Sequence, residues 1–138
     1  MRTSILLLLF GCAIAFGAEP TYRLSQLRAL RSQSAARTIL IPKIEFREAL
    51  WSDILRELER LSLQHDPTKK GVRIFVPDRF KADFASIAAT RYTVQLGPSI
   101  TLDSAFTEMP PPGWLYYPTS AREVAVIPQS AVIEDLTK

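Results

Sequence analysis

Between Lys43 and Leu61 the apolar positions change period once. Ile44 and Phe46 alternate with Glu45 and Arg47, which predicts a strand with one buried face. Trp51, Ile54, Leu55, Leu58 and Leu61 then recur at helical spacing, with Asp53, Arg56, Glu57 and Arg60 on the remaining surface. The helix is predicted to begin at Trp51. Leu50 at the cap position carries no acceptor for the first amides, whereas Asp53 places a negative charge in the first turn. It ends near Gln64-His65-Asp66-Pro67, and Thr68 to Lys70 returns the chain to an apolar run, Gly71-Val72-Arg73-Ile74-Phe75-Val76, predicted as a second strand.

The same grammar returns further on. Tyr92, Val94 and Leu96 alternate with Thr93 and Gln95, and Gly97-Pro98 turns the chain. Thr101 is a good cap for a second helix carrying Leu102, Ala105, Phe106 and Met109 along one side. Pro110-Pro111-Pro112-Gly113 stops it. Trp114 to Tyr117 and Glu123 to Ile127 predict a closing hairpin, with Thr119-Ser120-Ala121-Arg122 at its turn. The expected fold is α+β, a βαβ-βαββ arrangement with two helices packed with short mixed β-sheets over residues 39–128. Thr38 to Pro42 is expected as an edge strand or bend, because proline cannot donate to a ladder. Asp78 to Thr90 is expected as a connection with one helical turn placing Phe80, Phe84 and Ile87 on the core. Residues 129–138 are expected as a loose tail.

The first residues belong to a different regime. Arg2, the apolar run Ile5 to Phe10, and the small residues ending at Gly17-Ala18 have the layout of a secretory signal peptide over residues 1–18, cleaved after Ala18 or Gly17. The apolar run falls short of the roughly 20 residues that span a bilayer. Leu9-Phe10-Gly11-Cys12 faintly resembles a lipoprotein processing site, but Phe10 is bulky for it and the chain stays apolar beyond Cys12. With Cys12 removed, neither a disulfide nor a thiolate remains. An exported, periplasmic location is the expectation. Net charge over the 138 residues is +3, with both signs interspersed, which is no nucleic-acid footprint. One stretch departs from that mixture: residues 19–38 form a basic lead-in with Arg23, Arg28, Arg31 and Arg37. Leu24, Leu27 and Leu30 recur there at helical spacing, so a short helix is expected. It either packs its leucines on the domain or offers peripheral membrane contact through those arginines.

The order of elements resembles the secretin and TonB short N-terminal (STN) domain. That family has a strand leading into an L-x-E-A-L-x-x-L helix and an apolar strand after a glycine. Its second half runs V-x-L-x-x-x-x-T-L-x-x-A-L and closes with L-x-Y and V-x-V-I-P. The first helix falls on Trp51, Asp53, Ile54, Leu55 and Leu58, and the glycine and strand on Gly71 to Val76. The second half falls on Val94, Leu96, Thr101, Leu102, Ala105 and Phe106, and the hairpin on Leu115, Tyr117, Val124, Val126, Ile127 and Pro128. Ile41 to Arg47 also resembles the opening of small exported STN-like proteins of planctomycete and verrucomicrobial bacteria. The stretch from Leu61 to Lys70 is longer than the family's, Pro110 to Pro112 replaces a short polar turn, and no barrel or plug sequence follows. The resemblance therefore implies a periplasmic protein-docking module, with a secretin-like channel or receptor as partner, and not the channel itself.

Candidate chemistry is sparse. His65 is the only histidine and stands beside Asp66, but no nucleophile elbow accompanies them, so no catalytic residues are assigned. One histidine without a retained cysteine makes no metal site, and no glycine-rich phosphate loop implies a cofactor. Glu45, Glu48, Asp53, Glu57 and Glu59 lie among arginines, the pattern of ion pairs on a solvated face. The candidate binding residues are Trp114, Tyr116 and Tyr117, with Arg122 at the turn. On a two-residue alternation Trp114 and Tyr116 share one face and Leu115 and Tyr117 the other. Either one face presents exposed aromatic surface, or helices and tail cover both. The expectation is a non-enzymatic module docking to another envelope protein through a sheet edge or this hairpin, with rim arginines steering approach. The alternative is a small envelope hydrolase or a polysaccharide- or membrane-surface-binding protein.

Overall fold

A computed structural model describes residues 21–134. The expected leader, Cys12 and the last four residues lie outside them. The fold is α+β, with four helices and several short mixed sheets. In chain order the elements are β1 (Tyr22–Arg23), α1 (Leu24–Ser32), β2 (Leu40–Ile41), β3 (Ile44–Leu50), α2 (Trp51–His65) and β4 (Arg73–Phe75). There follow α3 (Lys81–Ala88), β5 (Arg91–Leu96), β6 (Ile100–Thr101), α4 (Leu102–Glu108), β7 (Trp114–Ser120), β8 (Glu123–Pro128) and β9 (Val132–Ile133).

The two halves interlace. β3-α2-β4 and β5-α4-β7-β8 follow one another as expected, but neither half closes on itself. The opening strands β3 and β5 pair antiparallel, while β4 pairs parallel to β8, with β7 on the other side of β8. One hydrophobic core therefore draws on both halves: Ile44 and Phe46 of β3, Ile54 and Leu58 of α2, Leu102 and Phe106 of α4, Val124 and Val126 of β8.

Helix α2 forms where its stripe predicts it. Trp51, Ile54, Leu55 and Leu58 are buried, and Leu50 caps without a side-chain bond. Ser62 continues the stripe as a buried hydroxyl, accepting from the Val72 amide at 2.9 Å and donating to the Glu59 carbonyl at 2.7 Å. Helix and β4 are thereby tied. In α4 the Thr101 hydroxyl accepts from the Ser104 amide at 3.2 Å, as its cap chemistry predicts.

One expected element forms and two others exceed the expectation. The lead-in helix α1 forms and sets Leu27 and Leu30 against a second apolar cluster around Tyr22, Tyr117, Ala125 and Ile127. The connection before β5 holds an eight-residue helix, α3, where a single turn was expected. Its hold on the core is narrow: Phe84 is its one buried residue and meets Trp114 edge-on, ring centroids 5.4 Å apart. The tail is not wholly loose, because Val132–Ile133 pairs in parallel with Tyr22–Arg23. α1 lies on β7, and with β1 and β9 it closes the outer face of the three-stranded sheet.

Trp51 is the largest fully buried side chain and stacks on Tyr92 at 4.8 Å, joining α2 to β5. Its replacement by alanine leaves a cavity between the halves and is expected to cost about 3–5 kcal/mol in urea unfolding. Leu63→Ala, on an exposed position of the same helix, is expected to stay within about 0.5 kcal/mol. Equal losses would contradict the assignment of the two helix faces.

Candidate functional site

The hairpin aromatics do not form a surface. Trp114, Tyr116 and Tyr117 are 6%, 6% and 2% exposed, so the expectation that they present contact surface is corrected. The alternation holds, and each face of the sheet finds a cover. Tyr116 stacks on Phe106 at 4.4 Å and donates to the Met109 carbonyl at 3.3 Å. Burial pushes its phenol far above the usual range. On the opposite face Tyr117 packs edge-on against Tyr22. Its hydroxyl donates to the Arg23 carbonyl at 2.7 Å and accepts from the Arg23 amide at 3.1 Å, which fixes β1 on β7. β8 is buried along Val124 to Ile127 because both faces of its sheet are covered.

Arg122 has an internal partner. Its Nη1 donates to Asp66 at 2.6 Å and to the Gly71 carbonyl at 3.0 Å, and Nη2 to the Thr68 hydroxyl at 3.0 Å. Asp66 is 3% exposed and also accepts from the amides of Thr68, Lys70 and Gly71 and from the Thr68 hydroxyl. Burial alone would raise its pKa. The amides of Thr68 and Gly71, the guanidinium and the hydroxyl outweigh that and hold the carboxyl well below the usual range. Gly71 is required at this loop: its φ is +71°, and a Cβ there would stand 3.1 Å from the Leu63 backbone. Asp66 is the residue sequence reasoning passed over in favour of His65. The available signal was the Asp-Pro-Thr…Gly turn chemistry, in which an aspartate bonds the amide two residues on.

Three of the five carboxylates among the arginines form ion pairs at the surface. Glu45 meets Lys43 and Arg47 at 3.0 and 2.9 Å, Asp53 meets Arg56 at 3.0 Å, and Glu57 meets Arg60. Among the described residues no metal-sized cluster of His, Asp and Glu forms, and no helix is long and apolar enough to cross a membrane.

Two surface features remain. The first is the sheet of β3 and β5, each of which pairs only with the other among the described residues. β3 carries a bulge, with the register shifting between Phe46 and Ala49 and Glu48 at φ +50°. β5 clasps that bulge: the Thr93 hydroxyl accepts from the Glu48 amide at 2.9 Å, and Arg91 donates to the Glu48 carbonyl at 2.9 Å. β5 itself is regular and contains no proline or lysine. Its core-facing Tyr92, Val94 and Leu96 are only half-buried, whereas Ile44 and Phe46 opposite are 1% and 8% exposed.

The second feature is a cleft of about 730 Å³ between α1 and the start of α4, lined by Leu24, Leu27, Arg28, Arg31, Arg37 and Asp103 among others. Three of the four lead-in arginines thus meet in one place. Arg23 lies outside it, on β1.

Comparison with known proteins returns no family model, no curated protein and no solved structure that matches the chain.

The Asp66 network has a pH signature. A carboxylate with a depressed folded-state pKa stabilises the fold above its unfolded value of about 3.9, and that contribution is lost as pH falls through the folded value. Asp66→Asn is expected to lower the urea midpoint at pH 7, with the gap to wild type closing progressively below about pH 4. Parallel curves for the two proteins down to pH 2 would contradict the assignment. Glu45, Glu57 and Asp78, also depressed by neighbouring cations, contribute acid sensitivity to both proteins.

Proposed function

We propose that the chain is an exported, non-enzymatic, STN-like interaction module of the cell envelope. It docks to another envelope or secretion-system protein by accepting a partner strand along β5. The observation that carries this reading is the half-burial of Tyr92, Val94 and Leu96 on a strand with one neighbour. These side chains already face the core, and a further strand would finish covering them while satisfying the outer backbone groups of β5.

The contrast between the two strands supports the choice of edge. Natural edge strands discourage pairing through bulges, charged side chains and proline. β3 has a bulge and the exposed charges of Glu45, Arg47 and Glu48, while β5 has Arg91 alone and its regular run Tyr92 to Leu96. Backbone pairing would supply affinity, and the spaces beside Tyr92, Val94 and Leu96 would select the partner's alternate side chains. The buried hairpin then serves as the rigid platform on the far side of the core.

A photo-crosslinking residue at Gln95, in the full chain expressed in its own envelope, is expected to capture one protein partner that the same probe at Glu59 on α2 does not. Val94→Lys places a charge on the core-facing row of the edge and is expected to lower that capture at least about tenfold, equivalent to about 1.4 kcal/mol. Indistinguishable adducts from positions 95 and 59 would sink the reading.

A further inference from the structure

The cleft beside α1 lies apart from β5, and its charge is unbalanced. Three guanidinium groups line it, and Asp103 is the one carboxylate among the lining residues. Arg31 is committed: its Nε and Nη2 donate to the two oxygens of Asp103 at 3.3 and 3.0 Å, and Nη2 also reaches the Thr107 hydroxyl at 3.2 Å. That fork pins α1 to α4 and consumes the carboxylate. The Arg28 guanidinium makes no hydrogen bond or ion pair among the described residues. The Arg37 side chain makes only a 3.5 Å bond to the Ser32 carbonyl. Two uncommitted cations therefore share a concave wall, where like charges raise the local potential and favour an anion.

We infer that this cleft is a binding site for a phosphate ester with an apolar body. A planar carboxylate is satisfied by one guanidinium fork, as Asp103 is by Arg31. A tetrahedral phosphate presents oxygens in several directions and can take forks from two arginines at once. The carbon-rich part of the ligand is accommodated by Leu24 and Leu27 on the same wall. Leu24 is 47% exposed and stands one helical turn before Arg28, so an apolar surface and a free guanidinium lie side by side along α1. The same chemistry occurs on a phospholipid headgroup at a bilayer surface and on a small soluble phosphate ester.

The test uses the full chain purified from its envelope, in about 0.15 M salt, where exposed charges more than about 8 Å apart are largely screened. Hexyl phosphate is titrated by calorimetry, and vesicles of phosphatidylglycerol or phosphatidylcholine are co-sedimented with the protein. The expected result is binding to hexyl phosphate, to the phosphatidylglycerol vesicles, or to both. Arg28→Gln with Arg37→Gln should weaken it at least about tenfold. The control pair Arg56→Gln with Arg60→Gln removes the same charge from the solvated face of α2 and should leave affinity within roughly twofold, since exposed charges are worth little individually. Hexyl phosphate alone would identify a soluble ester as the ligand, and phosphatidylglycerol vesicles alone a lipid headgroup. Equal losses in both pairs, equal binding to the two vesicle types, or no binding to any probe would overturn the proposal. Because both substituted arginines are exposed, unchanged unfolding midpoints are expected and separate lost binding from lost folding.

Discussion

The carboxylate of Asp66 is where the first half of the chain is fastened to the second. It sits directly after α2 and gathers the amides of the loop that leads into β4. Through Arg122 it also reaches the turn between β7 and β8. β4 must run parallel to β8, a pairing that no tight turn can produce. The Arg73 amide donates to the Arg122 carbonyl at 2.8 Å, so the guanidinium that meets Asp66 belongs to the residue that starts the ladder. A buried charge of this kind is tolerated because it is fully hydrogen-bonded, and its chief effect is to set the register of β4 on β8. α2 meets the three-stranded sheet chiefly through β4, the strand whose place this register sets.

Much of this architecture is legible in the sequence because burial and periodicity agree. The change of period at Trp51 marks the start of α2, the capping chemistry of Thr101 marks α4, and the alternation through Trp114 to Tyr117 marks β7. What is not legible is long-range. Nothing local tells Ile44 that its partner is Leu96, or Ile74 that its partner is Val124. α3 escapes the periodicity reading because Phe84 alone among its residues is buried. The fate of the hairpin aromatics turns on the lead-in. Alternation assigns Tyr117 to a face, but only the docking of α1 and the pairing of β1 with β9 decide that this face is covered.

The surfaces that remain open are therefore not the ones composition singles out. Large aromatic residues attract attention as contact surface, yet here they supply the platform: Phe84 on Trp114, Phe106 on Tyr116, Tyr22 on Tyr117. The openings occur where the fold runs out of material. β5 lies at the rim of a two-stranded sheet, and the α1 cleft gathers more cations than its one carboxylate can neutralise. Both are incomplete in ways a partner of definite chemistry would complete, a strand in one case and a phosphate in the other.

β5 is an open edge of its sheet, and amide hydrogen exchange resolved by residue tests this on the free protein. An edge strand donates only alternate amides to its neighbour. Exchange is expected to alternate between slow and fast from Arg91 to Leu96, against slow exchange at both Val124 and Ala125 of β8, where β4 and β7 flank the strand on its two sides. Uniformly slow exchange along β5, matching Val124 and Ala125, would mean that the edge is already covered and that β5 is not open.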